Sequence, residues 1–131
     1  MISFDEPFLT ITWEPEDRII CAQWKDQVGG EVMRRGLDAG LALIVEKQAR
    51  RWLVDSRRLD AIDPVDVKWV NDNWIPRAVA AGLQSMAFVL ARKIVMQLTM
   101  KSFIARIDER ELANAYFDDL DAARTWLRGR P

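Results

Sequence analysis

The sequence predicts an α/β fold, a single-layer mixed β-sheet covered by helices, in the order ββαβαβαβα. Two patterns lead there. Two alternating apolar segments joined by a proline turn open the chain, and short apolar runs then exchange regularly with stretches of helical periodicity. A third observation is length. The 131 residues place residues 1–131 in one domain, with a core large enough to need no disulfide or metal.

Residues 8–14, FLTITWE, put Leu9, Ile11 and Trp13 on one face and Phe8, Thr10 and Thr12 on the other. That alternation, rich in β-branched and aromatic residues, is a strand. Glu14-Pro15-Glu16-Asp17 turns the chain into a second strand over about 18–25, which completes a hairpin. Gly29-Gly30 is a hinge before a helix over 31–48, with Leu37, Leu41, Ile44 and Gln48 on one face and Met33 and Val45 beside them. Residues 52–55, WLVD, read as a central strand.

Asp63-Pro64 is a helix start: aspartate at the N-cap, proline at N1, Asp66 at N3. The helix carries Val65, Trp69, Val70 and Trp74, and Pro76 is expected to end or kink it before a last turn reaches Ala81 and a Gly82 cap. SMAFVL at 85–90 is a buried strand, 92–105 a helix, and LANAYF at 112–117 the last strand. Asp118 or Asp119 then caps a closing helix with Leu120, Ala123 and Leu127 inward.

Composition removes several function classes. A net charge of −1 lacks the positive face that nucleic-acid binding through bulk electrostatics needs. With no histidine and only Cys21, soft-metal sites, Cys/His nucleophiles and internal disulfides are out of reach. A carboxylate site for a hard cation stays open but has no motif behind it, and no metal or cofactor is expected. The longest apolar run, GLALIV at 40–45, is far too short for a transmembrane segment. MISFDEPFLT has no signal-peptide pattern, and a cytoplasmic location is expected.

The stretch RWLVDSRRLDAIDPVDVKWVNDNWIPRAVAAGLQSMAFVL, with the ending AYFDDLDAARTWL, resembles small bacterial proteins of the SpoIIAA-like superfamily, the STAS/SEC14-like domains. The resemblance covers about the last 80 residues of the chain and implies a mixed sheet with helices. STAS domains are anti-sigma-factor antagonists switched by phosphorylation of a serine in an Asp-Ser-Ser-Gly stretch. Here Asp55-Ser56 matches its start, but Arg57 stands at the phosphorylated position and Arg58 replaces the glycine. SEC14-like domains carry lipids in a deep apolar pocket within a larger chain.

Two groups of residues are candidates for the site. Asp55, Ser56, Arg57 and Arg58 end one strand, and Arg92 and Lys93 follow another. If those strands are neighbours, the six residues can converge with the Asp63–Pro64 helix start on an anion, since ligands of α/β sheets bind outside the carboxyl ends of strands. The plainer reading makes Asp55 a local cap and the arginines solvated. Trp69, Trp74, Met96, Met100 and Phe103 form the second group, lining an apolar pocket or an interface. Trp69 and Trp74 lie about 140° apart around a helix, so both cannot face the core. Met86, Met96 and Met100 suit a pliable groove, and equally suit core filling.

The clustered aspartates 55, 60, 63 and 66 are explained by capping, and no histidine exists to activate Ser56. The expected function is therefore a non-catalytic binding or regulatory domain acting through protein contact. It is expected to be a homodimer, joined by the tryptophan-bearing helix or an exposed strand edge. On that reading Trp74→Ala weakens self-association without unfolding the protein. The alternatives are a carrier of a small apolar or amphiphilic ligand, and an enzyme acting on a small anionic substrate through Arg57 and Arg92.

Overall fold

The computed structural model describes all of residues 1–131. The chain runs β1 (Ile2–Glu6), β2 (Leu9–Glu14), β3 (Ile19–Trp24), α1 (Gly30–Lys47), β4 (Arg51–Asp55) and α2 (Pro64–Trp69). A π-helical turn (Val70–Trp74) leads into α3 (Ile75–Ala80), then β5 (Ser85–Val89), α4 (Ile94–Ala105), β6 (Ala113–Phe117) and α5 (Leu120–Arg128). The strands form one mixed sheet in the order β1-β2-β3-β4-β5-β6. The first three strands are antiparallel and the last four parallel.

The architecture is the mixed, helix-covered sheet that the periodicity predicts, with one strand more. Residues 2–6, to which the periodicity assigns no element, form an edge strand on β2. Most of its residues are exposed. Main-chain pairing and the packing of Phe4 on the Phe8 ring hold it, and Ile2 and Phe4 alone are too short an alternation to mark a strand. A register shift between Ile2 and Phe4 and the acidic Asp5 and Glu6 disrupt its outer side, which discourages another chain from adding there.

Consecutive parallel strands that advance in one direction, each by a right-handed crossover, place all their connecting helices on the same face. Thus α1, α2–α3 and α4 share one face, where Ile20, Ala22, Trp24, Trp52, Val54, Met86 and Phe88 meet them in the main core. The alternate residues Ile19, Cys21, Leu53, Ala87 and Val89 form a smaller core with Ala123 and Leu127 of α5 on the opposite face.

The helix α1 packs on a face rotated from the expected one. Met33, Gly36, Leu37, Gly40, Leu43 and Ile44 are buried, whereas Val45 is exposed. Two glycines decide this: a Cβ on Gly40 would lie 2.3 Å from the Trp52 ring and one on Gly36 2.7 Å from Leu9. The helix therefore settles on the sheet along a stripe without side chains. Its start borrows a cap from another element, because the Gly30 N–H donates to the buried Asp66 of α2 (3.1 Å). A Cβ on Gly29 would stand 2.7 Å from Asp66 Oδ2, so a larger residue there would push this cap aside.

Pro76 does not end its helix. The rod from Pro64 to Ala80 is continuous, and the Ile75 N–H reaches back five residues to the Val70 carbonyl. Proline clashes with the carbonyl four residues before it in a regular helix; the wider π turn just upstream is the accommodation. Gly82, at φ +114°, closes the rod as expected.

Candidate functional site

Beneath α4, between it, α1 and the α2–α3 rod, the main core is incompletely filled. A recess of about 640 Å³ including its open mouth, with about 80 Å³ of free interior, lies over β3, β4 and β5 and reaches past the carboxyl end of β4 to Ser56 and Leu59. Fifteen of its 17 lining residues are hydrophobic, so the interior offers dispersion contacts and almost no hydrogen bonding. Trp24, Trp52, Met86 and Phe88 form the floor, Met33 and Leu37 come from α1, and Val70 and Trp74 come from the π turn. Met96, Met100 and Phe103 hang from α4 as its roof. Ile62, Val67, Thr99 and Phe103 are partly exposed and mark the rim.

The helix α4 reaches the core through Met96, Met100 and Ile104, with Phe103 partly buried beside them. Trp52 and Trp74 meet edge to face at 5.0 Å on the wall of the recess. The π turn rotates Val70 and Trp74 inward. Such turns recur at binding sites because they reposition side chains that a regular helix would place elsewhere.

Four of the five residues expected in an apolar pocket or interface line this recess: Trp74, Met96, Met100 and Phe103. Trp74 is no interface residue, being wholly buried with its Nε1–H donated to the Leu37 carbonyl (2.8 Å). Trp69 lies outside, half-buried, with the guanidinium groups of Arg34 and Arg77 at 4.9 and 5.7 Å from its ring. One ring of the pair thus faces inward and the other outward, across a π turn where a regular helix was expected. Trp13, Trp24 and Trp52 also belong to the core. Leu59, Ile62 and Val67 are wall residues that periodicity did not reveal, since two of them sit in a loop.

The polar group divides between the two faces of the sheet. β4 and β5 are indeed neighbours, and Lys93 meets Asp60 at 3.3 Å across their loops. Ser56 turns into the apolar recess, buried. Asp55 points to the opposite face, where it accepts from Arg57 Nε and Nη2 at 2.9 and 2.8 Å. Arg57 is therefore committed to Asp55, and this pairing holds the guanidinium pKa above its usual value. Arg58 and Arg92 remain exposed. The six residues do not gather round one point, because strand alternation sends adjacent side chains to opposite faces.

Cys21 lies on that same opposite face, near two bidentate ion pairs, Asp55–Arg57 and Glu14–Arg124. Burial, followed by the Glu14 charge, pushes its thiol from 9.0 up to about 12. The folded protein therefore keeps this proton between pH 9 and 12, where the unfolded chain has lost it. Stability is full below that window and falls with rising pH inside it, by up to about 1.4 kcal/mol per pH unit. Urea midpoints measured across the window should fall more steeply for the native sequence than for Cys21→Ala. Equal slopes would show that the thiol contributes nothing.

No three cysteine or carboxylate groups converge as a metal site, and no helix is long and apolar enough to cross a membrane. No protein-family model, curated protein or solved structure matches the chain.

Proposed function

We propose that this protein is a non-catalytic binding domain that takes a small apolar or amphiphilic molecule into the recess beneath α4. The observation that carries the reading is the recess itself, apolar on nearly every side and reaching past the carboxyl end of β4, where α/β sheets bind ligands. Ser56, the one hydroxyl at its buried end, makes no hydrogen bond with its side chain inside the protein. It suits a ligand with a single small polar group.

Size restricts the ligand. An apolar void of about 150 Å³ holds benzene, and the free interior here is about 80 Å³. Entry therefore requires Met96 and Met100 to change rotamer, which their unbranched side chains do at low cost. The mixed sheet with helices and the Asp55-Ser56 strand end support reading the chain as a SpoIIAA-like domain. Replacement of the switch serine and glycine by Arg57 and Arg58 speaks against the STAS phosphoswitch.

Native mass spectrometry of the purified chain, followed by titration with an environment-sensitive naphthalene dye, tests this reading. Bound mass or saturable dye emission is expected for the native protein. Met100→Trp, which fills the recess from its roof, should abolish both while leaving the circular dichroism unchanged. No added mass together with dye emission indifferent to Met100→Trp would refute the recess as a binding site.

A second reading, a protein-contact domain, is favoured by the exposed apolar residues on the outer side of α4, Ile94, Val95 and Leu98.

A further inference from the structure

Two independent features meet at the β6 end of the sheet. The first is an unguarded edge. Ala113 N–H bonds to Gln84 and the Phe117 carbonyl accepts from Leu90, so residues 113, 115 and 117 direct their main-chain groups toward β5. Alternation then turns the N–H and C=O of Asn114 and Tyr116 outward, where no strand follows. The sequence Ala-Asn-Ala-Tyr-Phe carries no charge, no proline and no bulge, the devices that normally blunt such an edge. The opposite edge, β1, has both a bulge and acidic residues.

The second feature is the outer side of α4. Ile94, Val95 and Leu98 are 72%, 75% and 62% exposed, so this helix is apolar on both its inner and outer sides. It lies beside the same edge: Lys101 Nζ stands 5.2 Å from the ring of Tyr116, itself 48% exposed. Ile94, Leu98 and Lys101, spaced i, i+4 and i+7, form a strip that runs down toward β6.

We propose that β6 and the outer strip of α4 form the interface of a twofold homodimer, joined by antiparallel β6–β6 pairing centred on Ala115. A second copy of this chain is the occupant because one twofold axis matches both features at once, the bare edge to itself and the α4 strip to itself. Centring on Ala115 sets Asn114 opposite Tyr116 of the other copy and Tyr116 opposite its Asn114. The four outward groups of each chain then become two complete hydrogen-bonded pairs with none left over. A twofold axis normal to the sheet through Ala115 keeps both α4 helices on the same face, side by side across the seam. The apolar strips then cover each other. The strands join into one continuous sheet of twelve, and the recess of each subunit stays on its own side of the seam.

Sedimentation equilibrium over a range of concentrations tests this, with two variants. Leu98→Glu changes an exposed side chain and puts two like charges near each other across the seam. Tyr116→Pro removes an outward N–H together with the exposed ring beside Lys101, and leaves the bonds to β5 intact. The native protein should be a dimer whose melting temperature rises with concentration. Both variants should weaken dimerisation by on the order of tenfold or more, with unchanged circular dichroism. A native protein that stays monomeric at the highest attainable concentration overturns the proposal, as does a dimer of unaltered affinity in Leu98→Glu. A monomer that binds anionic vesicles and loses that binding in Leu98→Glu would assign the strip to a lipid surface instead.

Discussion

Trp74→Ala is expected to destabilise the protein by about 3–5 kcal/mol, the range for deleting a large aromatic side chain from a packed core. The residue is wholly buried and meets the Trp52 ring edge to face at 5.0 Å. Its indole hydrogen bond to the Leu37 carbonyl ties the π turn to α1. The substitution removes apolar contact, leaves that carbonyl without its partner, and enlarges a recess already present. Urea unfolding followed by circular dichroism measures the loss. Trp69→Ala is the control, because that ring is half-buried at the margin of the core, with the guanidinium groups of Arg34 and Arg77 over it. It should cost clearly less, about 1–2 kcal/mol. Similar losses for the two variants would mean that the π turn does not direct Trp74 into the core.

The second large effect concerns charge. Arg57→Ala leaves the Asp55 carboxylate buried at 3% exposure, with only the residue 57 N–H, at 3.2 Å, still donating to it. Breaking a buried pair from one side costs about 3–5 kcal/mol. The side chain of Arg57 is itself 33% exposed, which places the expected loss near the lower limit. Removing both partners should cost less than removing one. Asp55→Val combined with Arg57→Ala leaves no unpaired charge, and should recover more than about 1 kcal/mol relative to Arg57→Ala alone. A double variant no more stable than the single one would show that Asp55 is well solvated without its arginine. The comparison also bears on function, since an arginine committed to Asp55 is not free for an anionic substrate.

The course of the chain was legible wherever burial leaves a periodic mark. Strands β2 to β6 alternate or run apolar because one or both of their faces are covered. Asp63 and Asp119 announce their helices by capping them, accepting from the N–H groups of Val65 and Ala122 at 2.8 Å each. β1 left no such mark, because Ile2 and Phe4 alone are too short an alternation and its main-chain bonds are ones that any residue except proline can make. The buried face of α1 was misjudged for a related reason. Apolar periodicity locates side chains, and this helix packs where Gly36 and Gly40 have none.

The candidate site was partly legible. The sequence singled out Trp74, Met96, Met100 and Phe103 from composition and helical spacing, which are local properties. It could not separate core filling from a recess, because a void depends on how far α4 stands from the sheet. Nor could it show that Pro76 would be absorbed by a π turn, or that this turn would send Trp74 inward and leave Trp69 outside.

By itself, then, the sequence determined the fold class, the succession of strands and helices, the helix caps, and the absence of histidine chemistry. These follow from local periodicity, capping and residue type. Only the tertiary structure decided which face each helix covers, that Asp55 and Ser56 part to opposite sides of the sheet, and where the core stays unfilled. Those depend on crossover handedness and on the standoff between elements distant in sequence, which no local pattern encodes.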